Sequence, residues 1–354
     1  MAKNYNSYRF LLWLLLVLGN LPSVHAQIPA FNLPTSIDRP SNHAEDPVIV
    51  TTCSFRPVRT IGAEGYHLLI SGYFNNDVTK SGTFIMDTGM SYTVIADTTA
   101  IRIGIKTQAA IHDGKRQMLG VLPVSSAVLP VFRVLPLNVA SQPPLEVNGE
   151  VGVLPEKLFL DSVVHLDGII GADFWSEFGT LFDFPSNKVT VFRPISPTMD
   201  RLRQFGFGQA AAIALTLTWD GVPCVSLQLQ QGSQRASEKV IVDTGSDVTM
   251  ISYQTAKRMD LHPNRVNIQR MGVGGPFKIN QATLEVMQIG DQTLHHVTVY
   301  YPDDDKNVPG LCLGTDILQH YKMLLSISDR KMYLLPAQTP PVVTIGPAPV
   351  TPTK

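Results

Sequence analysis

The sequence predicts an all-β protein made of two diverged copies of one unit. Three observations predict it. Glycine and proline each occur 26 times in 354 residues, so turns are frequent and long helices few. The apolar residues, 44% with the other hydrophobics, fall in short runs between turn signals, and only 16% of residues are charged. The chain also matches itself. At a shift of 156 residues, FIMDTGMSYTVIADTTAIRIGI (84–105) lies over VIVDTGSDVTMISYQTAKRMDL (240–261) with nine identities in 22 positions.

A second match lies downstream at a shift of 143. Ile169-Ile170-Gly171-Ala172-Asp173 falls on Cys312-Leu313-Gly314-Thr315-Asp316, and LFDFPSNKVTVF falls on LLSISDRKMYLL. The change of shift means that the first copy has the longer middle. Each unit therefore reads as a strand into Asp-Thr-Gly, a short apolar strand, and a short amphipathic segment such as YQTAKRM. An apolar-apolar-Gly strand, a short helix (ADFWSEF, TDILQHY) and a closing hairpin follow. Ser186-Asn187 and Asp329-Arg330 are the expected turns of those hairpins.

The predicted organisation has six parts. Residues 1–26 read as a secretory signal: Lys3 and Arg9 precede the apolar run Phe10–Gly19, and Val24-His25-Ala26 is a small-x-small exit. Ten apolar residues are too few to span a bilayer, so no stable membrane insertion is expected after cleavage. Residues 27–47 are a polar, Pro-bearing linker. The first unit occupies 48–194, a connector 195–205, and the second unit 206–336. The tail, 337–354, is rich in Pro and Thr and is expected to lack a core. The expected location is the periplasm or the cell exterior.

Charge and cysteine usage exclude other classes. Without residues 1–26 the chain carries 26 basic and 29 acidic residues, a net of −3, which gives no footprint for nucleic acid. The three cysteines, Cys53, Cys224 and Cys312, form neither a disulfide framework nor a zinc spacing. A Cys224–Cys312 pairing stays open. His295-His296 lacks a third ligand nearby, and Asp303-Asp304-Asp305-Lys306 lacks the Gly and Glu of a calcium loop. No metal and no cofactor are expected.

The duplicated Asp-Thr-Gly carries the chemistry. Two such turns about a pseudo-twofold axis bring Asp87 and Asp243 together around one water. Like charges at short range cannot both ionise, so the pair shares a proton, and one carboxyl acts as base while the other acts as acid. Thr88 and Thr244 are expected to bond across the axis. Gly89 and Gly245 let the backbone approach the carboxylates. Gly171 and Gly314 are expected behind the Asp turns, where a side chain has no room. The copies differ after the glycine. Ser246 has a hydroxyl that could reach Asp243, whereas Met90 offers Asp87 none. On this reading Asp87 more often holds the shared proton.

At these residues the chain resembles the pepsin and retropepsin group of aspartic peptidases. The resemblance covers most of 48–336. One Asp-Thr-Gly is common by chance; two copies, each followed by apolar-apolar-Gly before a helix, are specific. The second unit is similar to compact bacterial retropepsin-like units, and two units in one chain resemble pepsin. The resemblance implies a bilobal fold of two pseudo-twofold-related β-barrel lobes with few short helices, and a long cleft between them. It implies an aspartic endopeptidase acting on peptide or protein substrates, a monomer without cofactor. The alternative is a catalytically weak protein of this fold that binds peptides or proteins. The family closes its cleft with a hairpin flap; the matching tips here are Asp113-Gly114 in the first unit and Gly272, Gly274 and Gly275 in the second.

Overall fold

The structure, a computed structural model, describes residues 48–59, 63–109, 111–112, 115–116, 118–119, 122–123, 125–136, 142–156, 165–193, 198–272, 275–303 and 310–337. The segments expected as a leader (1–26), a linker (27–47) and, except for Ala337, a tail lie outside them. The fold is all-β with a few short helices. Among the described residues no helix is long and apolar enough to cross a membrane.

Each half builds its own sheet around its Asp strand. In the first half eight strands pair, with Asp77–Met86 between His67–Phe74 and Gly168–Ile170. In the second, Gln234–Val242 lies between Pro223–Gln231 and Cys312–Leu313. Each Asp strand thus has a hairpin partner on one side and a short apolar strand running parallel on the other: Ile170 opposite Met86, and Leu313 opposite Val242. The first hairpin turns at Asn75-Asn76, both in the left-handed region, which asparagine tolerates better than most residues.

Alternation drives the burial. Phe84 and Met86 are fully buried and pack with Phe74 and Phe132, ring centroids 4.5–6.2 Å apart. Fully burying one such side chain contributes about 1.5–3 kcal/mol. Val240 and Val242 play the same part beside Leu227 and Leu229. The amphipathic segment YQTAKRM forms the helix Tyr253–Arg258, capped by the Ser252 hydroxyl on the Thr255 N–H. ADFW and TDIL form the helices Ala172–Trp175 and Thr315–Leu318.

The closing hairpins form where the sequence places them. Asp183 pairs with Lys188 and Ser326 with Lys331, with Asn187 and Arg330 at positive φ in the turns. Neither hairpin stays within its own half. Gly179–Asp183 pairs antiparallel with Tyr321–Ser326, and Val48–Ser54 and Ile213–Ala214 edge a common six-stranded sheet. The stretches 48–194 and 206–336, expected as separate units, thus both contribute strands to this sheet. The segment read as a connector contains a helix, Met199–Gln204, with Leu202 buried against that sheet.

Candidate active site

Each Asp leaves its strand with its backbone held from behind. The Asp87 N–H donates to the Ile170 carbonyl and the Asp243 N–H to the Leu313 carbonyl, both at 3.0 Å. The parallel apolar strands thus anchor the two turns. Gly171 and Gly314 follow those strands, in ordinary extended backbone. Space is what requires glycine there. A Cβ on Gly171 would lie 2.5 Å from the Tyr92 carbonyl carbon, and one on Gly314 would lie 2.3 Å from the Val248 oxygen.

The two turns meet across the approximate twofold axis. Thr88 Oγ1 donates to the Val242 carbonyl (2.7 Å) and accepts from the Thr244 N–H (3.1 Å). Thr244 Oγ1 donates to the Met86 carbonyl (2.8 Å) and accepts from the Thr88 N–H (3.1 Å). Both threonines are fully buried. These four bonds set the separation of the halves at this point.

Asp87 and Asp243 come together on the exposed side of that network. Their carboxyls stand close enough to shift each other's proton affinity. Each glycine of the motif sits under the opposite carboxyl: a Cβ on Gly89 would lie 2.5 Å from Asp243 Cγ, and one on Gly245 would lie 2.3 Å from Asp87 Cγ. Both aspartates keep some exposed surface but are walled in by protein on most sides, as the floor of a cleft is.

Burial raises the proton affinity of both carboxyls, and a bond between two carboxyls needs one proton. The backbone donors are balanced. Asp87 Oδ1 accepts from Gly89 N (2.8 Å) and Met90 N (2.9 Å); Asp243 Oδ1 accepts from Gly245 N (2.8 Å), and the Ser246 N–H also bonds to that carboxyl. Asp243 is raised well above the carboxylate range, by burial first and then by the charge on Asp87. Asp87 is raised too, by burial first, against the pull of Asp243, of the Gly89 and Met90 N–H groups and of the nearby His67, which favour its anion.

The side-chain difference between Met90 and Ser246 does not reach the carboxyls in the way expected. The Ser246 hydroxyl does not support Asp243; it donates to the Val248 carbonyl at 2.9 Å. Met90 supports Asp87 after all, through its backbone N–H, while its side chain packs beside the cluster containing Leu69 and Ile85. The residue after the glycine acts through main chain in both copies, so its side chain is a poor guide.

Two further pairs escaped the sequence reading. Thr93 donates from N and Oγ1 to Asp173, and Thr249 likewise to Asp316; each Oγ1 also accepts from Gly171 N or Gly314 N. They clamp the strand leaving each Asp turn to the helix behind it. Burial pushes the Asp316 carboxyl up to about 7 and raises Asp173 as well. Their signal was available, since all four residues are identical between the copies.

Of the expected flap residues, Gly272 and Gly275 pair at the end of the hairpin Arg265–Gly272/Gly275–Ile289. Gly274, Asp113 and Gly114 lie outside the described residues, although Ile111–His112 and Lys115–Arg116 pair on either side of the last two. Cys53, Cys224 and Cys312 are all free and buried, so the Cys224–Cys312 pairing is absent.

A family model for aspartyl proteases matches residues 225–317. The matched stretch holds Asp243, Thr244, Gly245 and Gly314, and it supports an aspartic-peptidase family and a hydrolase. No curated protein sequence matches the chain. Among solved structures, conglutin gamma, a basic 7S globulin from lupine seeds, is similar at 9% identity and a TM-score of 0.47, over 81% of this chain and 95% of that one.

Proposed function

We propose that the chain is an aspartic endopeptidase of two lobes, with Asp87 and Asp243 as its catalytic pair. The observation that carries this reading is the meeting of the two carboxyls, each packed against the glycine of the other motif. In the proposed reaction a water lies between the carboxyls and the scissile peptide. Asp87, as the anion, takes a proton from the water, whose oxygen attacks the carbonyl carbon. Asp243 gives its proton to the carbonyl oxygen. The tetrahedral diol then collapses: the C–N bond breaks, the leaving amine nitrogen takes the proton held by Asp87, and Asp243 recovers one from a diol hydroxyl whose oxygen becomes the carbonyl of the new acid. No covalent intermediate forms. The four threonine bonds serve this chemistry by holding the carboxyls at a fixed separation.

The hairpin ending at Gly272 and Gly275 is proposed to close over a bound peptide. The leader at 1–26 supports export, with the mature chain acting as a monomer on peptides or proteins in the periplasm or outside the cell. Met90 gives no ground for a weakened pair, because its N–H supplies the donor to Asp87. Incubation of the mature chain with a denatured protein tests the reading. Internal cleavage that pepstatin abolishes is expected. Binding of the denatured chain without any cleavage, from pH 3 to 7, would favour the peptide-binding alternative.

A further inference from the structure

Among the described residues, one of the carboxyl pair's neighbours is a titratable side chain that the other half replaces with an aliphatic one. Leu69 pairs with Ile85 and Cys224 with Ile241, and the two isoleucines are equivalent in the repeat. Two residues back along each partner strand stand His67 and Val222. Val222 is a buried aliphatic side chain, whereas His67 is half-buried and its Nδ1 lies 2.8 Å from the Gly245 carbonyl. A carbonyl can only accept, so Nδ1 carries the hydrogen. That bond survives whether or not Nε2 is protonated. The ring is therefore anchored in either protonation state.

The anchor joins the halves. His67 belongs to the first-half strand beside Asp87, and Gly245 belongs to the turn that presents Asp243. An imidazole held there keeps one place relative to both carboxyls, and the protein around them screens little of its charge. We propose that His67 is a positioning residue that breaks the symmetry of the pair, its imidazolium favouring the anion on Asp87 and so leaving the shared proton to Asp243. This rests on the reading of the pair as catalytic; if that reading holds, His67 decides which aspartate is base and which is acid.

Other charges near the pair do not do this. Arg59 lies over the Tyr66 ring and donates to the Glu64 carbonyl, on the lead-in to His67. From the second half, Asp247 accepts from Gly65 N through its backbone, and Asp316 is held by Thr249. Cys312 is buried with its thiol pushed well up, so it remains neutral. An imidazole is able to carry a positive charge, which none of these groups presents to the pair.

The sign follows directly. A cation beside an acid favours the anion, so removing it raises the lower apparent pKa of the pair. His67→Val makes the position match Val222, and His67→Gln keeps a donor for the Gly245 carbonyl without the charge. Carboxyl 13C chemical shifts of Asp-labelled protein, followed from pH 2 to 8, read the pair without any substrate. Both variants are expected to raise the lower apparent pKa by about one unit. The acid limb of kcat/KM should move by the same amount. An unchanged carboxyl titration in folded His67→Val would overturn the proposal. So would wild-type titration in His67→Gln, which also decides the matter should the Val variant not fold. If no peptide is cleaved at all, the 13C titration still tests His67, and only the proposed activity fails.

Discussion

Replacing Gly314 by alanine isolates the packing that holds the second Asp turn. The backbone there is ordinary, φ −93° and ψ −179°, so alanine meets no conformational penalty. Its Cβ would instead lie 2.3 Å from the Val248 oxygen, 2.6 Å from its carbonyl carbon and 3.0 Å from its nitrogen. Contact at normal distance requires a shift of about 1 Å, and the atoms in the way are main chain. They are also bonded, since the Val248 carbonyl accepts from Ser246 Oγ and from the Cys312 thiol. Overpacking of this kind costs typically 1–3 kcal/mol, and the lack of a yielding side chain puts it near the top, at about 3 kcal/mol. With an unfolding entropy of about 2.1 cal/mol/K per residue over roughly 290 residues, that lowers Tm by about 5 °C. Differential scanning calorimetry measures it. Gly221→Ala is the control: Gly221 has φ +89° but open space at its Cβ, so only conformational strain of about 1–2 kcal/mol applies. A Gly314→Ala protein melting with the wild type, or above Gly221→Ala, would refute the argument.

Two more expectations concern the frame around the pair. Thr88→Val keeps the shape but leaves the buried Val242 carbonyl and Thr244 N–H without their Thr88 partner, so a loss of about 2–5 kcal/mol in urea unfolding is expected, with Thr88→Ser close to wild type; equal stability of all three would contradict the network. Asp316 sets a pH dependence. Its folded value, about 7, lies above the ordinary 3.8, so the folded state binds the proton more tightly and its contribution is complete below about pH 4 and lost as pH rises through 7. The span corresponds to on the order of 4 kcal/mol. Urea midpoints at pH 4.5 and 7.5 should fall with pH in the wild type and fall less in Asp316→Asn; a rise, or an identical slope in the variant, would contradict the assignment.

Much of the site was legible because the twofold axis duplicates whatever touches it. Asp87, Thr88 and Gly89 meet the copies of themselves, so a constraint on one acts on both, and the repeat at 156 residues displays it. Gly171 and Gly314 were legible for the same reason. Thr93, Asp173, Thr249 and Asp316 lay in the same matches, but their bonding is tertiary and needed coordinates. The shared six-stranded sheet was hidden: the hairpins are legible from Ser186-Asn187 and Asp329-Arg330, yet their mutual pairing joins Thr180 to Leu325, a register that no local pattern encodes. Met90 and Ser246 misled because sequence reports side chains and the donors are main-chain N–H groups. His67 had no copy to mark it.

The central claim is that Asp87 and Asp243 form one functional unit. Turnover of a denatured protein substrate by Asp87→Asn and by Asp243→Asn, each alone and with its melting temperature checked, tests it most directly. Each variant is expected to fold and to lose about 10²–10⁴-fold in kcat/KM or more, because one shared proton needs both carboxyls. A folded single variant with near wild-type turnover would contradict it.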